Sequence, residues 1–79
     1  MPLYFFDARD GEDFIPDELG LELDGIEAAR DHATAGLADM ARDAIPGAVR
    51  RELAVEVSDE HRAPLLRASL WFEVAVLGG

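Results

Sequence analysis

The sequence predicts a small α+β domain of order ββαββ: a four-stranded antiparallel sheet with one helix packed on one face. Three observations carry this. Leu53, Val55 and Val57 alternate with Glu52, Ala54, Glu56 and Ser58, the period of two expected of a half-buried strand. A longer series of the same period follows, with Leu66, Ala68, Leu70, Phe72, Val74 and Val76 set against Arg67, Ser69, Trp71 and Glu73. Between residues 26 and 45 the period changes, and Ile26, Ala29, Ala33, Leu37, Met40 and Ala44 trace one helical face. A chain of 79 residues leaves room for one domain, residues 1–79, with no linker and no internal repeat.

Taken in order, Leu3 to Arg9 reads as the first strand, with Tyr4, Phe6 and Ala8 on one side and Phe5, Asp7 and Arg9 on the other. Asp10-Gly11 is a turn signal, because glycine accepts positive φ and aspartate tolerates it. Phe14-Ile15 can pair briefly before Pro16, which lacks the amide hydrogen a ladder needs. Leu19, Leu21 and Leu23 then suggest a short second strand feeding the helix. Asp24 as N-cap and Glu27 three residues later make a candidate capping box, and Pro46-Gly47 stops the helix at Ile45. Asp59 to Arg62 is a polar turn between the third and fourth strands.

The strand order 2-1-3-4 makes every neighbour antiparallel and lets the helix cross one face in a right-handed connection. The order 2-1-4-3 needs a parallel central pair and is less favourable. In the favoured order the helix stripe packs on Tyr4, Phe6, Leu53, Val55, Val57, Leu70, Phe72 and Val74. Trp71 and Phe5 then face away from the helix, with Ala54 on the strand between them. These three form an expected apolar contact patch on an uncovered face; the alternative is a minor cluster shielded by the stems of Arg9 and Arg67. The fourth strand lies at a sheet edge. Between Leu65 and Leu77 it has no lysine or proline, and only Arg67 and Glu73 are charged, so little discourages pairing with a second copy. The expected contact surface is therefore Phe5, Ala54, Arg67, Ser69, Trp71 and Glu73, and the expected assembly is a homodimer.

Composition narrows the chemistry. The net charge is -10, from seven basic and seventeen acidic residues, so a phosphate backbone is repelled and direct nucleic-acid binding is not expected. All seven basic residues are arginine, and Lys, Asn, Gln and Cys are absent, a usage that suggests GC-rich bacterial coding. Without cysteine there is no disulfide and no thiolate metal site. No run is long enough to span a bilayer and no leader-like stretch opens the chain, so a cytoplasmic location and no membrane partner are expected.

No catalytic, metal or cofactor site is expected. The first 24 residues hold eight acidic residues against Arg9 alone, a local charge of -7. This acidic hairpin could attract cations weakly or engage a basic protein. It is not a calcium loop, because placing Gly11 at the sixth position puts Phe6 and Ala8 where oxygen ligands belong. His32 and His61 have no third ligand in register, and no base stands at a useful spacing from Thr34, Ser58 or Ser69.

Two resemblances rest on particular residues. Tyr4-Phe5-Phe6, Asp10-Gly11, Pro16-Asp17-Glu18-Leu19-Gly20, the Leu23–Arg30 run with Glu27-Ala28-Ala29-Arg30, and Val57-Ser58-Asp59-Glu60 cover most of the chain. Together they resemble a family of short, uncharacterised proteobacterial proteins known as a domain of unknown function. That resemblance implies a histidine at the position of Asp7 and a glycine in the turn that here reads His61-Arg62-Ala63-Pro64. Over residues 14–33, Pro16-Asp17, Gly20 and Glu27-Ala28 also resemble the HicB antitoxin domain, which implies an interaction module. The DNA-binding segment that usually accompanies that domain has no counterpart here. The sequence thus points to a non-catalytic protein-interaction module, with an antitoxin-like or regulatory domain for a basic protein partner as the alternative.

Overall fold

The computed structural model describes residues 1–79. Its elements are β1 (Leu3–Asp10), β2 (Asp13–Ile15), β3 (Leu21–Glu22), α1 (Ile26–Ala44), β4 (Arg50–Ser58) and β5 (Pro64–Glu73). The sheet runs β2-β1-β4-β5, all antiparallel, with β3 also paired to β1. This is the expected α+β class, with one difference in strand count. The brief pairing expected at Phe14-Ile15 is a strand of its own, β2, opposite Ala8 to Asp10, and the expected second strand is reduced to β3, opposite Leu3 and Tyr4. Pro16 cannot donate to the ladder, so pairing stops at Ile15 and resumes only at Leu21, leaving Leu19 exposed.

The core lies between α1 and the sheet: Tyr4, Leu53, Val55 and Val57 from the strands, Ala29, Ala33 and Leu37 from the helix. Ala29 and Ala33 are closed off from solvent, and their small side chains let the helix approach closely. The consequence is a thin core. Only nine of 79 residues are buried, and the largest fully buried side chain is Val57.

Three helix expectations need correction. Gly25, which has no side chain to cap with, occupies the N-cap position, so Asp24 and Glu27 form no capping box. Leu23 donates its amide to the Pro2 carbonyl at 3.1 Å and packs on the core, fixing the chain so that the N-cap falls one residue after Asp24. Ile26, in the first turn, is half-exposed instead of joining the stripe, while Ala41, outside the expected stripe, packs on the core. The C-terminal stop is as expected, with Gly47 at φ 85° and Ala48 N–H donating to the Ile45 carbonyl.

β5 also ends early. Val74 N–H still donates to the Val49 carbonyl at 2.8 Å, but β4 offers nothing beyond that point. Val74 is therefore half-exposed and lies outside the core cluster, and Val76 is 88% exposed. The apolar segment from Val74 onward projects from the body of the fold. The radius of gyration is 14.4 Å, against about 12 Å for a compact chain of this length.

Candidate functional site

The candidate surface is the sheet face opposite the helix, together with the outer edge of β5. Alternation along three strands builds it. Phe5, Asp7 and Arg9 of β1, Glu52, Ala54 and Glu56 of β4, and Arg67, Ser69, Trp71 and Glu73 of β5 all point away from α1. The register sets Ala54 beside Ser69 on one side and Arg9 on the other. Trp71 opposes Glu52 and is 68% exposed. A trough of about 430 Å3 runs here, lined by Gly11, Ala54, Ser69, Arg9, Arg67 and Trp71 among others. Four of the six expected contact residues, Ala54, Arg67, Ser69 and Trp71, thus come together. Glu73 stands at the end of β5, where it accepts from Arg50 at 2.8 Å.

Phe5 does not join them, which corrects the expected patch. It opposes Ser58, whereas Trp71 lies opposite Glu52, six residues along β4. The patch fails because period-two alternation gives the face a residue occupies and says nothing of its position along the strand; that depends on register. Phe5 instead lies under the Arg62 guanidinium, 3.6 Å from ring centre to Cζ, while Arg9 lies over Phe14 at 4.6 Å. Neither expected arginine shields Phe5, and no such cover lies over Trp71.

Charge on this face is paired across strands. The Glu56 carboxylate accepts from Arg9 Nε at 2.7 Å and from an Arg67 terminal nitrogen at 2.8 Å, bridging β1, β4 and β5. The hydrogen bond from Arg67, then that from Arg9, holds its pKa below the usual glutamate value. With Arg50–Glu73 alongside, the face carries charges of both signs joined across strands.

At the other end, Asp17 fills the gap between β2 and β3. Its Oδ2 accepts the Phe6 amide at 3.0 Å, and its Oδ1 accepts the amides of Leu19 and Gly20, each at 3.1 Å. A side-chain carboxylate thus stands in for the missing strand partner of β1. Burial pushes its pKa up, but the Phe6, Gly20 and Leu19 amides and the Arg62 charge outweigh this, so the net shift is downward. Asp7 accepts the Asp17 amide at 2.8 Å, and Arg62 donates to the Asp17 carbonyl at 2.8 Å. Gly20 sits at φ 75°, where an added Cβ would lie 3.0 Å from Leu3 and 3.1 Å from the Tyr4 carbonyl oxygen. Asp7 and Asp17, counted in the acidic hairpin expected to attract cations or a basic protein, are engaged by main-chain amides. An Asp-x-x-Gly spacing after proline is the signal that could have shown this. Arg62, at φ 67° where the resemblance implies glycine, had no such signal.

The β5 edge follows from the ladder. With Val74 bonded to Val49, antiparallel alternation assigns the β4 bonds to Leu66, Ala68, Leu70 and Phe72. The N–H and C=O groups of Arg67, Ser69, Trp71 and Glu73 therefore point away from β4, to an edge with no partner. His32 packs edge-on against Phe6, with ring centres 4.6 Å apart, and the Ser58 hydroxyl is buried without a hydrogen-bond partner, so neither belongs to this surface.

No helix is long and apolar enough to cross a membrane. No curated protein and no solved structure matches the chain. The family described as domain of unknown function (DUF6894) matches residues 3–71, most of the 79-residue chain and all five strands at least in part. The Tyr4-Phe5-Phe6 strand, the Pro16–Gly20 loop clasped by Asp17, the helix and the β4 turn all fall within that match, and the chain belongs to the DUF6894 family.

Proposed function

We propose that this chain is a non-catalytic, cytoplasmic protein-interaction module that self-associates as a homodimer through the outer edge of β5. The observation that carries the reading is the row of unpaired main-chain groups at Arg67, Ser69, Trp71 and Glu73, a stretch with no lysine, proline or bulge. Natural edges are blunted by lysine, proline or a bulge. Here the only such features, Pro64 and a register shift at Val57/Ser58, lie at the start of the strand and leave its remainder open. The thin core supports the same reading, since a second copy would cover Trp71 and Val74, both substantially exposed.

The alternative, an antitoxin-like or regulatory module whose acidic hairpin engages a basic protein, has fewer free carboxylates than the sequence suggests. Asp7 and Asp17 hold main-chain amides, and Asp10 accepts from Arg51 at 2.9 and 3.2 Å. That observation favours the edge.

Light scattering tests the proposal. The wild-type chain should show twice its 8.6 kDa mass at tens of micromolar, about the range where a modest interface registers. Ser69→Pro should abolish the dimer while the fold persists, because the Ser69 amide points outward and bonds nothing in β4. A monomeric wild type would overturn the proposal. A dimer that survives Ser69→Pro but is lost in Trp71→Ala would move the contact to the open face.

A further inference from the structure

We infer that the two copies pair antiparallel along β5 about a two-fold axis at Leu70, so that Arg67 of each chain lies opposite the partner's Glu73. The inference rests on the proposed edge dimer and specifies its register. Two independent observations select it.

The first is charge. Arg67 and Glu73 are the only charged residues whose side and main chains both reach this edge, and their midpoint in the sequence is Leu70. An axis at Ser69 would set Arg67 opposite the partner's Trp71, and an axis at Trp71 would set it opposite Ala75. An axis at Ala68 would set it opposite Ser69. Only the Leu70 register joins opposite charges, and it does so twice. Within one chain Arg50 already opposes Glu73, and Glu56 already opposes Arg67. The seam would therefore continue one line of alternating sign: Arg50, Glu73, the partner's Arg67, the partner's Glu56. Opposite charges directly across a strand pair stabilise it, and like charges there oppose it. For a chain of net charge -10, such pairing counters the repulsion between copies.

The second is regularity. The register shift at Val57/Ser58 breaks the strand just before Leu66, and the last bond to β4 is made by Val74. The regular stretch is Leu66 to Val74, and its centre is again Leu70. Sizes agree with this placement. Small residues meet large ones on both faces, Ser69 against the partner's Trp71 and Ala68 against the partner's Phe72. Val74, left half-exposed beyond β4, meets the partner's Leu66.

Charge-reversed partners test the register. Arg67→Glu alone sets like charges across both ends of the seam, and so does Glu73→Arg alone. Each should weaken the dimer by roughly tenfold or more, read as a shift toward monomer mass at fixed concentration. An equimolar mixture should recover the dimer, because the mixed pair has opposite charges at both contacts. Should either variant lose its far-UV circular dichroism, oxidised Leu70→Cys decides instead. The chain has no other thiol, and residues facing each other at the axis lie close enough for a disulfide. A disulfide-linked dimer supports the register, and its absence in a dimeric protein overturns it. A wild-type dimer that neither single reversal weakens, or that mixing does not restore, also overturns the register while the edge dimer stands. A monomeric wild type defeats both.

Discussion

Asp17 shows how much one side chain can hold in a chain with so little core. Its carboxylate accepts three main-chain amides that no strand supplies with partners. Asp17→Ala would leave the Phe6, Leu19 and Gly20 amides unpaired, at about 1.5–3 kcal/mol for hydrogen bonds to a charged group. The pH dependence has a definite sign. Asp17 and Glu56 both have folded pKa values below their unfolded ones of 3.8 and 4.5. The unfolded state therefore binds more protons in acid. The stabilisation is present in full above pH 4.5 or so and is lost as pH falls through the lowered folded values. Melting temperature should drop between pH 5 and pH 3, and Asp17→Asn with Glu56→Gln should flatten that slope. A double variant as acid-sensitive as the wild type would show that other carboxylates govern it.

At the scale of elements, the helix and the two long strands were legible because their periods are long and uninterrupted. Leu37 was expected at the centre of the helix stripe and is 8% exposed against the sheet. With so few buried residues, Leu37→Ala should cost about 2–5 kcal/mol in a denaturant titration, and less than about 1 kcal/mol would remove Leu37 from the core. What could not be read depended on partners distant in sequence. Pro16 marks where pairing with β1 stops, but that Asp17 fills the gap by reaching Phe6 across eleven residues has no local sign. The early end of β5 follows from where β4 begins, and alternation from Leu66 to Val76 gives no sign of it. The candidate surface was legible in the same measure. Faces were assigned correctly for Ala54, Arg67, Ser69, Trp71 and Glu73. Phe5 was grouped with Trp71 because register, which separates them along the sheet, has no local signature. Glu56 has no local signal in the sequence, because its role depends on Arg9 and Arg67 arriving from two other strands.

For the whole molecule, the net charge is unevenly distributed. The first 24 residues carry most of the net charge of -10, while the open sheet face carries ion pairs that cross its strands. Two copies can meet along β5 without opposing their acidic hairpins, which lie on the far side of the sheet at β2 and β3. Such a union would make one continuous sheet with both helices on one face, enlarging a core that is thin in the single chain. The most direct measurement is residue-resolved amide hydrogen exchange along β5 at tens of micromolar, about the range where the dimer should be populated. In a lone chain, Ala68, Leu70 and Phe72 bond to β4 and exchange slowly, while Arg67, Ser69, Trp71 and Glu73 face solvent and exchange quickly. The dimer predicts protection at both sets, with the outward amides slowing as concentration rises; a strict fast–slow alternation that dilution does not change would contradict it.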